Sequence, residues 1–286
     1  MISANLSHVS LSVEDLPASR TFYENVMGLA VHDIADDRMR MGWGIGQHAL
    51  ELVEGEPGLD HFAYEVPDPA HLQQLEQSLT KTGVETRWIQ PEGAHPRVLE
   101  CRDPEGNRIE FHSAVERSGE RIAGVGRRPV RVQHVTLATE SMSEMVEFYE
   151  RTIGLRVSDR MGDMFVWMRS NREHHTLALV ESPVAGIDHY SYDVAGWEDF
   201  KAWCDALAAH DVRVAWGPGR HGPGNNLFII FEDAAGVRVE LSAEMELYWD
   251  DRAEYAPRVW QPAPETVNLW GPVPSWRQAT TKQLTA

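Results

Sequence analysis

Thirteen histidines and 44 acidic residues are spread along the 286-residue chain, so an imidazole falling near a carboxylate signifies little by itself. Recurrence singles out a few of them. His8, His61 and Glu110 return as His134, His189 and Glu240, at offsets of 126, 128 and 130 residues. Each returns in the same local setting: HVSLSV as HVTLAT, LDHFAYEV as IDHYSYDV, and DPEGNRIEF as DAAGVRVEL. Two imidazoles and one carboxylate brought together from three strand ends make a facial ligand set suited to non-haem Fe(II), with positions left open for a chelating substrate and dioxygen. Nitrogen and hard oxygen donors fit Fe(II) or Mn(II) better than a closed structural zinc site. Taken singly, a strand-opening histidine is more often a capping or edge residue. Glu240, between the apolar positions Val239 and Leu241, would by itself read as an outward-facing carboxylate. The joint pattern makes them ligands.

The elements that carry these residues can be read from periodicity. HVSLSV and HVTLAT alternate as strands; LPASRTFYENVMGL and SMSEMVEFYERTIGL have helical spacing and close at Gly28 and Gly154, as C-capped helices do. Short strands follow (MRMGWGI and HALELV, then MFVWMR and HTLALV), and next the strands HFAYEV and HYSYDV. Amphipathic helices come after them (AHLQQLEQSLTKTG and GWEDFKAWCDALAAHD), and last strands opened by DPEG and DAAG turns. The pattern is β-α-β-β-β written four times, an α/β (α+β) fold of two tandem domains. Its period far exceeds the 20 to 50 residues of solenoids, so a domain has been duplicated. The expected divisions are 1–116, a Gly- and Arg-rich linker at 117–130, 131–245, and a tail at 246–286 rich in Trp and Pro. That tail is too aromatic to stay loose in water and should pack over the second domain's cup or into a subunit interface. Trp197, Trp203 and Met145, on helices, are expected in the core.

Composition narrows the partners. A formal charge of −18 repels phosphate backbones and anionic lipid, which argues against nucleic acid and membrane surfaces. Cys101 and Cys204 are too few and too far apart for a disulfide framework or a Cys-rich zinc site, so a reducing cytoplasm is the expected setting. The first residues, MISANLSHVS, do not read as a signal peptide, and no apolar stretch is long enough to span a bilayer.

With these motifs in place, the chain over residues 5 to 245 resembles the vicinal oxygen chelate (glyoxalase, bleomycin resistance and dioxygenase) superfamily, and specifically the two-domain type I extradiol ring-cleavage dioxygenases. The resemblance implies curled sheets enclosing a metal cup, with His134, His189 and Glu240 holding Fe(II), or Mn(II) in its place. It also implies a histidine ahead of a T-L-A strand, His175 in HHTLALV, and one in R-H-G, His221 in GRHGPGNN, that assist substrate deprotonation and bound oxygen. Imidazole suits that work because its pKa lies near working pH. His174, adjacent to His175 in the expected strand, should face the other way. The implied substrates are a small aromatic diol and dioxygen, and the enzyme is expected to be a homo-oligomer.

Two departures matter. The first half keeps His8, His61 and Glu110 and adds His48, aligned with His175, and Glu51, aligned with Ala178. A Glu near that strand is the fourth ligand in the glyoxalase I branch. The first cup is therefore either a His8, Glu51, His61, Glu110 site or a set of vestigial polar residues bonded to one another. It has no R-H-G equivalent, His95 being four residues off that register. Second, ring-cleaving relatives usually place a Tyr nine residues after the R-H-G histidine, where this chain has Ile230; Tyr190, Tyr192 and Tyr248 are the phenols that could act in its stead. The favoured activity is cleavage of a catecholic ring next to the diol. Alternatives are a glyoxalase-like isomerase or lyase, or a non-catalytic module that sequesters an aromatic ligand.

Overall fold

The computed structural model describes residues 2–35, 37–44, 47–90, 97–114, 127–250 and 253–277. Each half contributes one mixed sheet built from two βαβββ modules. The first half comprises β1 (Asn5–Val13), α1 (Leu16–Asn25), β2 (Ala30–Ala35), β3 (Arg38–Gly44), β4 (Gln47–Glu54), β5 (Gly58–Val66), α2 (Pro69–Lys81), β6 (Arg87–Ile89), β7 (Val98–Arg102) and β8 (Arg108–Ser113). Its sheet runs β2-β3-β4-β1-β5-β8-β7-β6, so the two modules meet through the antiparallel β1/β5 pair. Local sequence accounts for the helix starts. Asp15 caps α1 by accepting the Ala18 N–H at 2.8 Å, and Asp68 caps α2 through the N–H groups of Ala70 and His71.

The second half repeats the plan with β9 (Arg131–Thr139), α3 (Met142–Glu147), β10 (Arg156–Met161), β11 (Phe165–Arg169), β12 (Leu177–Glu181), β13 (Gly186–Asp193), α4 (Trp197–Ala209), β14 (Trp216–Arg220), β15 (Leu227–Glu232) and β16 (Arg238–Ala243). The tail adds β17 (Arg258–Val259) and the short helix α5 (Pro264–Val267). Its sheet runs β14-β15-β16-β13-β9-β12-β11-β10-β17. After Glu147 the helix α3 widens into π geometry over Phe148–Ile153 and ends at Gly154, whose φ of 90° is open to glycine at little cost.

Contacts divide the chain into two units, Met1–Arg128 with Glu144–Leu155, and Pro129–Ser143 with Arg156–Ala286. The helix of the third module thus belongs to the unit otherwise made by the first half. Within that unit the Tyr149 hydroxyl donates to Asp103 at 2.8 Å, and the Ile2 N–H to the Gly154 carbonyl at 2.8 Å. Of the linker expected at 117–130, residues 117–126 lie outside the described residues. Among the described residues no helix is long and apolar enough to cross a membrane. Trp203 and Met145 are buried as expected, but Trp197 is 49% exposed: it opens α4, against Trp270 of the tail (52% exposed), rather than facing the core.

Candidate metal centre

In the second unit the adjacent central strands β9, β13 and β16 deliver His134, His189 and Glu240 to one point. The Nε2 atoms of the two histidines are 3.3 Å apart, His189 Nε2 is 3.3 Å from Glu240 Oε2, and His134 Nε2 is 4.0 Å from Glu240 Oε1. All three are buried. Register shifts in the β9/β13 pair on either side of His189 turn its ring inward, the usual effect of a bulge. The outer nitrogens are engaged. His134 Nδ1–H donates to Gln133 Oε1 at 3.1 Å and His189 Nδ1–H to Asp188 Oδ2 at 2.6 Å, which leaves both Nε2 lone pairs facing the same space. The Thr136 hydroxyl, 3.1 Å from His189 Nε2, donates into that space as well. Asn226 Nδ2 donates to Glu240 Oε1 at 3.2 Å, freeing Oε2 for the centre. Inward lone pairs confronting a carboxylate are the condition a bound cation relieves, so the donor set fits a divalent metal ion.

Electrostatics distinguish the two rings. Burial drives the His134 pKa down to about 3, which keeps that ring a neutral donor. Burial also pulls His189 down, but its hydrogen bonds to Asp188 and Glu240 outweigh this and raise it. Burial raises Glu240 in turn, yet the neighbouring His189, His221 and His134 hold its carboxyl well below the usual range.

His175 and His221 flank the triad. His175 is buried with its ring 4.4 Å from that of His134, and burial pushes its pKa well below the ordinary value, so it is neutral. His174 faces away from the cup as expected, though not through strand alternation. Both histidines precede β12 instead of alternating within it. His174 is fully buried; its Nδ1 lies 2.9 Å from His175 Nδ1 and its Nε2 lies 3.0 Å from Asp159 Oδ2. It does not line the cup; it backs His175. His221 stacks on Phe228 at 3.9 Å, and its Nδ1–H donates to the Val267 carbonyl of α5, so Nε2 is the acceptor facing Glu240.

Beyond these groups the cup is walled by Phe165, Trp167, Ala178, Trp216, Ile230 and Val267. Phe165 and Trp167 are nearly parallel at 5.4 Å. Tyr190, Tyr192 and Tyr248 do not line it, and Ile230 does. The tail closes one side, as its composition led us to expect. Val267 and Arg277 line the cavity, Arg277 donating to Asp188 at 2.6 Å, and Trp260 and Trp276 pack on the same apolar cluster. Trp249 does not share this fate, being 89% exposed.

The first unit repeats the triad without the cavity walls. His8 and His61 approach to 3.1 Å between Nε2 atoms, and His61 Nε2 is 3.5 Å from Glu110 Oε2. The β1/β4 register pairs Ser10 with Glu51, as β9/β12 pairs Thr136 with Ala178, so Glu51 and Ala178 are equivalent. Arg40 and Arg38, at the positions of Trp167 and Phe165, bind Glu51 at 2.7 and 3.3 Å. Both oxygens of Glu51 are thus engaged by arginines, where Ala178 of the second cup has no counterpart. His95 lies outside the described residues.

Comparison with known proteins converges on this geometry. The family model of the Glyoxalase/Bleomycin resistance protein/Dioxygenase superfamily matches residues 5–111 and 131–241, and the chain belongs to that superfamily. It is 26% identical over 285 residues to the manganese-dependent 2,3-dihydroxybiphenyl 1,2-dioxygenase of Geobacillus genomosp. 3, covering 90% of each protein. It is 24% identical over 294 residues to the iron-dependent extradiol dioxygenase of Rhodococcus jostii, covering 93% of this chain and 96% of that one. Among solved structures, the Mn(II)-bound glyoxalase from Novosphingobium aromaticivorans matches with a TM-score of 0.83 at 26% identity, over 94% of this chain and 91% of that one.

Proposed function

We propose that this protein is an extradiol dioxygenase that opens a catecholic ring next to its diol, with Fe(II) or Mn(II) held by His134, His189 and Glu240. The observation that carries the reading is the juxtaposition of an open three-donor set with a cavity of aromatic and aliphatic walls. When bound, the metal ion supplies Lewis-acid charge for a diol oxygen and a common centre for both reactants. The chain does the rest by positioning. The near-parallel Phe165 and Trp167 offer a flat wall to a ring. His221, its tautomer set by the Val267 carbonyl, presents Nε2 to take the proton of a substrate hydroxyl. His175, backed by His174 and Asp159, holds a second neutral imidazole over the centre. Val267 and Arg277 exclude water from the tail side.

Ile230 in place of a phenol, together with an Arg277 already tied to Asp188, favours a catechol with an apolar substituent over one with a charged side chain. The isomerase reading loses support because Ala178 offers no fourth ligand in this cup and Glu51 is committed to arginines in the other. Anaerobic reconstitution with Fe(II) or Mn(II), followed by oxygen uptake on a panel of substituted catechols, tests the proposal. Uptake matched by a ring-opened product, fastest with apolar 3-substituents, is expected, as is loss of both that activity and the metal ion of this cup in His134→Ala, His189→Ala and Glu240→Ala. A metal-loaded protein that consumes no oxygen with any catechol would sink it.

A further inference from the structure

The cup of the first unit carries the same donors, with the two imidazoles slightly closer and the carboxylate slightly farther. We propose that it is a second metal site, in which His8, His61 and Glu110 hold a divalent transition-metal ion that takes no part in ring cleavage. The argument begins with the ring tautomers. Asp60 Oδ2 accepts from His61 Nδ1 at 2.8 Å, while Arg108 at 2.6 Å and Ser10 at 3.1 Å hold that carboxylate in place. Anchored by Arg108 and Ser10, Asp60 is placed to keep the proton of His61 on Nδ1.

His8 is fixed by a longer chain. His112 Nδ1–H donates to the Ser113 carbonyl at 3.0 Å, the Ser7 hydroxyl donates to His112 Nε2 at 2.9 Å, and His8 Nδ1–H donates to Ser7 Oγ at 3.4 Å. Both Nε2 lone pairs therefore point inward, 3.1 Å apart. In the second unit Thr136 donates a proton toward this space; its counterpart Ser10 is turned instead to Asp60 and Glu51. Two buried lone pairs at this distance repel unless a positive charge lies between them. A proton would serve one pair of atoms. A divalent ion serves both nitrogens and Glu110 Oε2 together.

Glu110 is prepared in the same way as Glu240. Arg108 donates to Oε1 at 3.2 Å and leaves Oε2 toward His61, just as Asn226 takes Glu240 Oε1. Outer partners that fix ligand orientation are a mark of metal sites. Around the donors, however, Arg38 and Arg40 stand where the second cup has Phe165 and Trp167, so there is no flat apolar wall for a ring. His48, with its ring 4.1 Å from that of His8, adds a further imidazole to the same enclosure. The arrangement suits an ion that braces the strands β1, β5 and β8.

The test is metal stoichiometry on the untagged full-length protein, stripped with chelator and reloaded separately with Mn(II) and Zn(II). Two ions per chain are expected in the wild type, and one in His134→Ala, whose melting temperature should still rise with added metal. Glu110→Gln keeps the shape of the side chain and an acceptor for Arg108 while removing the charge. It should fold and hold one ion, and the double variant His134→Ala/Glu110→Gln should hold none. One ion per chain in wild type and none in His134→Ala would overturn the second site while leaving the first intact. No ion in wild type, by contrast, would strike the dioxygenase reading also.

Discussion

At the residue scale, the donors were legible because duplication supplied the register that spacing alone lacks. Glu240 would read as an outward carboxylate from its apolar neighbours, and only the parallel with Glu110 marks it as a ligand. The groups that orient the ligands were not legible. Gln133 and Asp188 adjoin their histidines in sequence, but which way they turn depends on partners such as Asp193, Arg238 and Arg277 far along the chain. His174 does turn away from the cup, but the strand begins three residues later, so alternation could not show what it would contact. Its contacts change the expectation for its loss. If His175 holds or moves a proton over the centre, His175→Ala should retain metal and lose roughly 10²-fold or more in turnover. His174→Ala removes the group that faces His175 Nδ1 and leaves Asp159 to Arg258 and Trp260, so it should lose about tenfold with full metal occupancy, as outer partners do. Single-turnover rates and metal content on both variants check this; a His174→Ala enzyme of unchanged rate would mean that His175 needs no backing.

At the scale of elements, strands and amphipathic helices follow from alternation and helical spacing. The tail was legible only as a demand for burial: residues 246–286 have no periodicity, and its described residues are held by side chains, by the β10/β17 pair and by backbone contacts. The Gly222 N–H donates to the Thr266 carbonyl at 2.9 Å, and the Leu269 N–H to the Arg220 carbonyl at 2.8 Å. These straddle His221, and the next residue on α5, Val267, accepts its Nδ1–H. A Cβ at Gly222 would sit 2.6 Å from the Thr266 carbonyl oxygen, inside any allowed contact. Gly222→Ala should push α5 off and free His221 to rotate or change tautomer. The expected result is a roughly tenfold loss of turnover with metal stoichiometry intact. Ending the chain at Met245 should do more, exposing the apolar cluster around Trp216 and Phe228. Unchanged kinetics in both would show that the tail only decorates the cup.

At the scale of the whole molecule, the repeat suggests a cut at 117–130, yet the contacts assign Glu144–Leu155 to the unit of the first half. Periodicity reports where a sequence was copied; which copy a helix packs with is decided by surfaces that sequence spacing does not encode. The consequence is a prediction about excision. A fragment of residues 129–286 would carry its metal donors but leave that helix without its unit. Met145, Phe148, Tyr149 and Ile153 are all buried, and exposing four such side chains costs at most roughly 6–12 kcal/mol at 1.5–3 kcal/mol each. That is comparable to the entire stability of a typical domain, about 5–15 kcal/mol. Tyr149 would also lose its hydrogen bond to Asp103, and the Gly154 carbonyl its bond from Ile2. The fragment should therefore show no cooperative thermal transition and should bind metal weakly, whereas the full chain melts cooperatively. A milder probe is Tyr149→Phe in the full chain, which leaves Asp103 short of one buried donor and should lower stability by about 1–3 kcal/mol without touching the second cup. If the 129–286 fragment melts as sharply as the intact protein and retains its metal, the two copies are independent beads and the helix belongs where the repeat would have put it.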